Sequence, residues 1–243
     1  FHGHARYYPI RKEKKYLELF RAASDEKIIG ESTTNYLYSK VAARKISRFN
    51  PDAKIIIMLR EPVSFLYSLH SQFLTSSNEN VSDFKKALGY ADLRMKGKHI
   101  PPRAVSPEHI DYYKRAEFSR HIRRFFRYFR KSQIRIIIFD DLSKDMPGVY
   151  KDTLEFLGVD RGFVPDFRIH NPSKGVRFSL LKYIFETPLL WGLPKLILPK
   201  RAYAWIKKRF YNLVLGPKRR KKLDLRLRKK LMLLFTPEVK SLS

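Results

Sequence analysis

The sequence predicts an α/β fold with a parallel, three-layer sheet, and this prediction depends on two apolar runs and the patterns that follow them. "KIIIMLR", residues 54–60, is rich in isoleucine, which is typical of a strand buried on both faces of a parallel sheet. "IRIIIFDDL", residues 134–142, is a second run of this kind. A helical pattern follows each run, and alternating strands and helices predict a sheet covered by helices.

The first half of the chain contains three predicted helices around the first strand. Residues 13–23 and 38–49 have helical spacing, and the second of these helices stops before Asn50 and Pro51. After the strand, Pro62 suits the first position of a third helix, where a missing N–H costs no hydrogen bond. The face that this helix should bury contains Val63, Leu66, Leu69 and Phe73.

The second half is predicted to alternate in the same way. Residues 76–107 are polar and interrupted, with a helix near 82–88 and a mobile or substrate-facing loop at "KGKHIPPRAVSP". A helix over 112–131 should follow, and then, after the second strand, a helix that ends at Gly158. The buried stripe of the 112–131 helix should be Phe118, Ile122, Phe125 and Phe129.

Composition favours one globular domain with a polyanionic partner. The 243 residues are 44% hydrophobic and 14% aromatic, enough to bury a sizeable core. There are 51 Lys and Arg against 23 Asp and Glu, a formal net charge of +28. Such a charge indicates a phosphorylated cofactor, an acidic glycan, nucleic acid or an anionic membrane surface, and it does not choose among them.

The absence of cysteine excludes disulfides and thiolate metal sites, and it favours a cytoplasmic bacterial protein, with a peripheral membrane location as a variant. No apolar run is long enough for a membrane-spanning helix. The seven histidines lack the spacing of a metal site, so we predict no metal. The chain starts at Phe1 rather than methionine, so any targeting segment upstream would be out of sight.

The end of the first strand has the features of a phosphate clamp. Arg60 ends the strand, Pro62 opens a helix whose N–H groups are free, and Ser68 lies two turns along that helix. A helix N-terminus at the carboxyl edge of a sheet binds anions well. Taken alone, the spacing fits equally well an arginine that merely reaches solvent.

The stretch "IIGESTTNYLYSKVAARKISRFNPDAKIIIMLREPVSFLYS" resembles the sulfotransferases that use 3′-phosphoadenosine 5′-phosphosulfate (PAPS). "IRIIIFDDLSKDMPGVYKDTLEFLGVD" and "HNPSKGVRF" are similar to later parts of that family, especially its bacterial and Golgi-type carbohydrate sulfotransferases. The likeness covers roughly residues 16–178. The residues that match in order and spacing are Gly30, Glu31, Thr33, Tyr36, Leu37, Pro51, Ala53, Lys54, Arg60, Pro62 and Ser68.

The resemblance implies a P-loop-NTPase-like sulfotransferase fold. Residues 1–178 would be a partial sulfotransferase domain that contains the half binding the 3′-phosphate of PAPS, and residues 179–243 a basic helical extension of the same domain. The family's glycine-rich phosphosulfate loop and first strand have no counterpart here. We therefore expect an N-terminally truncated chain that turns over little or nothing as given, with a degenerate, non-enzymatic homologue as the alternative.

The resemblance also assigns roles to residues. Arg60 and Ser68 would bind the 3′-phosphate, and Glu31 would be the catalytic base. The alternative for Glu31 is a turn carboxylate that interacts with the helix that follows. Ser173, Lys174, Gly175 and Arg177 would close over the cofactor, or they form an ordinary solvated basic turn. Asp140 and Asp141 are expected to be turn and capping residues.

The implied function is transfer of a sulfuryl group from PAPS to a hydroxyl or amine of a carbohydrate or similar acceptor. The alternative is a non-catalytic basic module that binds polyanions or anionic membranes, because residues 195–230 contain fifteen Lys or Arg and one acid. Trp191 and Trp205 would then be interfacial anchors. Nucleic acid is a less favoured partner because no binding motif is present, and a nucleotide kinase of the same fold ranks third.

Overall fold

A computed structural model describes residues 10, 12–168, 174–176, 198–217 and 221–242. Its strands are β1 (Ile55–Leu59), β2 (Ile134–Ile138), β3 (Lys174–Val176) and β4 (Leu215–Pro217). Short 3₁₀ turns occur at Glu18–Phe20 and Lys131–Gln133. The helices are α1 (Glu13–Leu17), α2 (Ala42–Phe49), α3 (Pro62–Ser76), α4 (Phe84–Gly89), α5 (Ala91–Met95), α6 (Tyr112–Arg115), α7 (Phe118–Phe126), α8 (Phe139–Lys144), α9 (Met146–Leu157), α10 (Lys200–Val214) and α11 (Leu225–Lys240).

The chain forms two compact units. The first unit comprises Phe1–Ser64, Tyr113–Phe167 and Met232–Ser243, and the second comprises Phe65–Tyr112 and Arg168–Leu231. The domain boundary predicted after Phe178 falls outside the described residues and stays a prediction. None of the described helices is long and apolar enough to cross a membrane.

The sheet of the first unit is parallel, as predicted. β1 pairs with β2 in a register that runs from Ile55 opposite Ile134 to Leu59 opposite Ile138. Parallel strands need a long crossover connection, and here the intervening chain supplies α3 to α7. In the second unit, β3 and β4 form a short antiparallel pair.

The expectation that both strands are buried on both faces is wrong. Ile57 and Leu59 of β1 are 5–6% exposed, and Ile134 and Ile137 of β2 are 8–9% exposed. The other large apolar side chains of the two strands, Ile56, Met58, Ile136 and Ile138, are 39–53% exposed. Successive side chains of a strand point to opposite faces of the sheet, so the exposure of Ile56 and Met58 beside the buried Ile57 and Leu59 shows that one face of β1 is open to solvent.

Helix α3 starts at Pro62, as the sequence predicts. Its buried face is formed by Val63, Leu66, His70 and Phe73, each at most 4% exposed. His70, rather than the predicted Leu69, thus lies on the buried face, and Leu69 is half-buried. The Nε2 atom of His70 lies 2.9 Å from the Val81 carbonyl oxygen. That hydrogen bond satisfies a polar group that burial would otherwise penalise.

The predicted helix over 112–131 is divided into α6 and α7, with a break at Ala116 and Glu117. Its predicted stripe is confirmed, because the four side chains at 118, 122, 125 and 129 are only 2–4% exposed. The predicted strand over 134–142 ends earlier, at Ile138. Asp140 and Asp141 lie in the first turn of α8, where carboxylates stabilise a helix N-terminus.

Helix α9 follows its prediction closely. The Asp145 carboxylate accepts a hydrogen bond from the Gly148 N–H at its start, and Gly158 adopts φ 75° at its end. Glycine tolerates this left-handed conformation, which is the usual way to terminate a helix. Lys54, just before β1, donates to the Phe156 carbonyl oxygen over 2.6 Å. The lysine therefore binds a carbonyl in the last turn of α9.

The second unit has a charged pair at the centre of its core. Glu79 is 2% exposed and Arg94 is 1% exposed, and two Arg94 nitrogens donate to the two Glu79 oxygens at 2.8 Å each. The Tyr112 hydroxyl donates to Oε2 of Glu79 at 3.0 Å. The backbone N–H groups of Asn80 and Val81 donate to Oε1, also at 3.0 Å. This carboxylate was not singled out by the sequence.

Candidate functional site

Glu31 lies on the exposed segment between the 3₁₀ turn at Glu18–Phe20 and α2, and it is surrounded by hydroxyl groups. The Tyr16 hydroxyl donates to Oε1 of Glu31 and the Thr33 hydroxyl to Oε2, both over 3.3 Å. The Tyr36 side chain is also hydrogen-bonded to this carboxylate. All these residues belong to the first unit. The arrangement presents a carboxylate to solvent with donors on both oxygens.

The two phenols act as donors rather than as acids. Burial raises the pKa of Tyr16, and the negative charge of Glu31 and the hydrogen bond to it raise it further. The pKa of Tyr36 is also raised, by burial first and then by its hydrogen bond to Glu31 and the charge of that carboxylate. Both phenols therefore stay protonated at neutral pH and keep donating.

The start of α2 is capped by a residue other than Glu31. The Ser39 hydroxyl oxygen accepts hydrogen bonds from the N–H groups of Val41 and Ala42, at 3.3 and 3.1 Å. A serine in this role satisfies the N–H groups that a helix start leaves free. This contact counts against the alternative in which Glu31 serves the helix that follows it.

Two arginines hold the turn just after Glu31. The guanidinium of Arg115 lies over the Tyr38 ring at 4.2 Å, and its Nη1 donates to Oδ1 of Asn35 over 3.4 Å. Arg124 donates to the Leu37 carbonyl oxygen over 3.0 Å. These contacts tie residues 35–38 to the last residue of α6 and to α7. The segment that bears Glu31 is thus anchored on its C-terminal side.

His121 completes this anchor in its neutral form. Arg124 donates to its Nδ1 over 2.7 Å, so the proton sits on Nε2, which lies 2.8 Å from the Lys114 carbonyl oxygen. Burial lowers the pKa of His121 to about 4; the hydrogen bond to the Lys114 carbonyl opposes this and the Arg124 charge adds to it. At neutral pH the ring therefore adds no charge.

Arg60 follows the last residue of β1, where the predicted phosphate clamp requires a cation. Its guanidinium lies over the Phe139 ring, 4.9 Å from the centroid. Its Nε is buried and has no hydrogen-bond partner among the described residues. A buried N–H without a partner is costly, and an anionic oxygen would satisfy it. These features fit a phosphate ligand.

The N–H groups at the start of α3 are not free, which corrects one part of the predicted clamp. The Glu61 carboxylate accepts from the N–H groups of Val63 and Ser64 at 2.9 Å each, and from the Ser64 hydroxyl at 2.5 Å. Glu61 directly precedes the helix, so its side chain reaches these groups without a long loop. The arginine side chain, rather than the helix terminus, is left to bind an anion.

The other predicted site residues have no described contact with Arg60. Ser68 is half-buried on α3 in the second unit, so its part in a phosphate site stays a prediction. Lys174 and Gly175 form two residues of β3. Ser173, Arg177 and the predicted anchor Trp191 lie outside the described residues. Trp205 lies on α10 and is 63% exposed.

Sequence reasoning missed the surroundings of Glu31. Tyr16 falls within the predicted helix over residues 13–23, and no spacing rule links it to a carboxylate fifteen residues later. Arg115 and Arg124 fall within the predicted helix over residues 112–131 but outside its predicted buried stripe, so helical spacing gives no sign of their contacts with residues 35–38. The sequence did contain one signal for these contacts: the hydroxyl side chains of Thr33 and Tyr36 follow Glu31 within five residues. Within the part of the chain that the structure describes, no group of three or more His, Asp or Glu residues could hold a metal.

Comparison with known proteins gives consistent results. The family model described as "Sulfotransferase domain" matches residues 16–171. Heparan sulfate glucosamine 3-O-sulfotransferase 6 from Homo sapiens is 26% identical over 171 residues, covering 69% of this chain and 45% of that protein. Heparan sulfate glucosamine 3-O-sulfotransferase 3A1 from Mus musculus is 25% identical over 167 residues, covering 69% of this chain and 39% of that protein.

A solved structure, that of a sulfotransferase from Alicyclobacillus acidocaldarius, is similar at 27% identity with a TM-score of 0.58. The match covers 80% of this chain and 75% of that one. The likeness extends to the α/β fold with its parallel sheet. The chain spans less than half the length of the curated relatives it matches.

Proposed function

Because the chain belongs to the sulfotransferase domain family, we propose that it transfers a sulfuryl group from PAPS to a hydroxyl or amine of a carbohydrate or similar acceptor. The observation that carries this proposal is Arg60, at the end of a parallel strand, with a buried Nε that has no described partner. This is the position at which the family motif expects the 3′-phosphate contact. A buried guanidinium nitrogen at this position supports the motif; the Nε atoms of Arg124 and Arg135 are also buried without a described partner, so it is the position at the end of β1 that distinguishes Arg60.

Arg60 would hold the donor through its charge and its planar set of N–H groups. Guanidinium binds phosphate oxygens with two parallel hydrogen bonds, which fixes orientation as well as position. Stacking on Phe139 restrains the guanidinium plane, so less side-chain freedom is lost on binding. PAPS supplies an activated sulfuryl group whose leaving group is a phosphate oxygen.

Glu31 would act as the general base. The acceptor oxygen forms a bond to sulfur, the sulfur–oxygen bond to the phosphate breaks, and the acceptor proton passes to a carboxylate oxygen of Glu31. A carboxylate acts as base only if the acceptor can reach it, and Glu31 is exposed. Positioned base catalysis typically contributes about 100-fold to 10,000-fold in rate.

An acidic carbohydrate is the acceptor class that the observations favour. The curated relatives are named for sulfation of heparan sulfate glucosamine. The net charge of +28 complements such a polyanion. We propose that residues 76–107 contribute to acceptor choice, because they form the polar, interrupted part of the family match.

The proposal is tested by calorimetric titration of adenosine 3′,5′-bisphosphate into the chain at moderate salt, where diffuse attraction is screened. We expect saturable binding that Arg60→Ala weakens by about tenfold to a hundredfold, the range for a lost hydrogen bond to a charged group. Arg44→Ala is the matched control, because it removes the same charge from an exposed position on α2.

The two variants separate a specific site from general charge attraction. Equal losses in both would mean that binding depends on net charge alone and would overturn the proposal. Lack of binding in the unsubstituted chain, repeated for the protein at its full natural length, would also overturn it.

A second candidate function has one observation in its favour. On α10, Trp205, Ile206 and Leu213 are 63%, 38% and 56% exposed, and Arg209 lies over the Trp205 ring at 6.0 Å. Exposed aromatic and aliphatic groups beside cations are typical of helices that lie on anionic membranes. This surface would make the protein a basic docking module, or would hold the enzyme at a cytoplasmic membrane face.

The two candidates predict different responses to salt. Docking through α10 should weaken steeply as salt rises, and it should be insensitive to Arg60→Ala. Sedimentation with anionic and neutral vesicles measures this directly. Binding that Trp205→Ala does not weaken would exclude α10 as the docking surface.

A further inference from the structure

We propose that Tyr16 is a positioning residue, whose hydroxyl acts with that of Thr33 to hold the Glu31 carboxylate in the orientation that accepts the proton of the acceptor. This inference rests on the proposed function, because it assigns a role toward the proposed base. It goes beyond that function by naming Tyr16 of α1, the residue at which the family match begins, as part of the site. The observations that carry it all lie within the first unit.

The hydrogen bonds restrain both carboxylate oxygens. Tyr16 donates to Oε1 and Thr33 to Oε2, and Tyr36 adds a further bond to the group. An ionised carboxylate has about four acceptor positions. Among the described residues there are three donors, which leaves at least one acceptor position without a described donor, and a base needs such a position to receive a proton while its plane stays fixed.

Tyr16 is itself held firmly enough to act as a reference point. Its ring packs edge-on against Phe20, with centroids 5.2 Å apart, and against Phe49, at 6.0 Å. Phe49 is the last residue of α2. The aromatic contacts therefore join α1 and α2 on either side of the segment that bears Glu31. A hydroxyl fixed in this way limits the rotation of an otherwise exposed glutamate.

The ionisation of Tyr16 supports its role as a hydrogen-bond donor to Glu31. Burial and the neighbouring carboxylate raise the pKa of Tyr16, so its hydroxyl keeps its proton and cannot replace Glu31 as the base. When Glu31 takes the acceptor proton, Tyr16 continues to donate to it. A misplacement of a catalytic group by even about 1 Å can be costly, so loss of this donor should lower turnover.

The kinetic test compares Tyr16→Phe with Tyr128→Phe in the protein at its full natural length. Tyr16→Phe keeps the aromatic packing and removes only the hydroxyl. Tyr128, at 44% exposure just after α7, is the matched control. We expect Tyr16→Phe to lower kcat about fivefold with little change in KM, and Tyr128→Phe to leave both unchanged. Stoichiometry of adenosine 3′,5′-bisphosphate binding corrects for any unfolded fraction.

A double-mutant cycle separates positioning from a general structural effect. If Tyr16 acts through Glu31, then Tyr16→Phe should have no further effect on the residual rate of Glu31→Gln. An equal fivefold loss in both backgrounds would overturn the proposal, because the tyrosine would then act without the glutamate. Wild-type kcat in Tyr16→Phe would overturn it as well.

A second readout does not depend on activity. In protein labelled with ¹³C at the tyrosine ring, Glu31→Gln should lower the pKa of Tyr16, because the negative charge and its hydrogen bond are removed. An unchanged pKa would overturn the contact and with it the positioning role. A lowered pKa together with no sulfotransfer to any acceptor would overturn the proposed function, and the positioning role of Tyr16 with it, while the contact between Tyr16 and Glu31 would stand.

Discussion

Glu31 in the first unit and Glu79 in the second each accept several hydrogen bonds, yet their surroundings are opposite. Glu31 is exposed, and the donors identified around it are hydroxyl groups. Glu79 is 2% exposed and receives two bonds from Arg94, one from Tyr112 and two from backbone N–H groups. Burial alone would raise the pKa of Glu79, but the hydrogen bonds from Arg94 and Val81 and the Arg94 charge hold it below its ordinary value.

The difference separates a structural carboxylate from one that is open to reaction. Glu79 has five donors for about four acceptor positions, so a substrate proton has neither access nor a free lone pair. Glu31 keeps an open position and faces solvent. A hydrogen-bonded glutamate is therefore not in itself a candidate base; the type of donor and the exposure decide.

The largest effect that this comparison predicts is the loss of Arg94. Arg94→Ala leaves the Glu79 charge buried without its cation, which typically costs about 3–5 kcal/mol. Urea unfolding followed by circular dichroism measures it. Arg120→Ala is the control, because its ion pair with Glu117 is exposed and should contribute less than about 1 kcal/mol. Similar losses in the two variants would contradict the structural role of the buried pair.

Glu31→Gln should give the opposite result. In the protein at its full natural length, we expect sulfotransfer to fall at least about 100-fold, while the free energy of unfolding changes by no more than about 0.5 kcal/mol, as is usual for an exposed site. Kinetics and urea unfolding of the same preparation test both parts. Destabilisation as large as that of Arg94→Ala would show that the two glutamates are alike after all.

Acid should weaken the second unit through Glu79. A carboxylate whose pKa is lowered on folding stabilises the protein above its ordinary pKa, near 4.3, and this stabilisation is lost as pH falls through the folded pKa. The expected effect is smaller than truncation, since the packing survives protonation. The free energy of unfolding, measured from pH 6 to pH 3, should fall on acidification, and it should fall less in Glu79→Gln. A rise in stability on acidification would contradict the prediction.

Tyr112→Phe should have the smallest effect of the four changes predicted from this comparison. The change removes one of the five donors to Glu79 and keeps the buried ring, so we expect a loss of about 1.5–2 kcal/mol, at the low end of the range for a hydrogen bond to a charged group. Tyr128→Phe, at an exposed position, should cost much less. No difference between the two would mean that the other four donors are sufficient.

Local pattern explains what could be predicted from the sequence. The spacing of Phe118, Ile122 and Phe125 defines a helical face, Pro62 marks a helix start, and Gly158 a helix end, because each depends on a few neighbouring residues. The family motif assigned Glu31 and Arg60. The fold class followed from the same local signals, repeated along the chain.

Contacts between distant residues explain what could not be predicted. Arg94 meets Glu79, and Tyr16 meets Glu31, across fifteen residues in each case, and neither pair has a helical or strand period. Glu61 is a different case, because its contacts with Val63 and Ser64 are local; it was overlooked because glutamate is not among the side chains that usually cap a helix start. The exposed side chains of β1 and β2 show the same limit. An apolar run indicates that a strand tends to be buried, but it does not indicate which elements cover the strand.

The parallel pairing of β1 with β2 has a consequence for how the chain folds and varies. Every ladder hydrogen bond joins residues 55–59 to residues 134–138, which lie on either side of the stretch from Arg60 to Gln133. The two ends of that stretch must therefore come together before the ladder gains any stability. The entropy of closure grows only logarithmically with length, by about 0.6 kcal/mol for each doubling. Insertions at the exposed turn of residues 96–98 should therefore leave the strand pair nearly as stable as before, which gives evolution freedom to lengthen that turn without disturbing the buried Glu79–Arg94 pair.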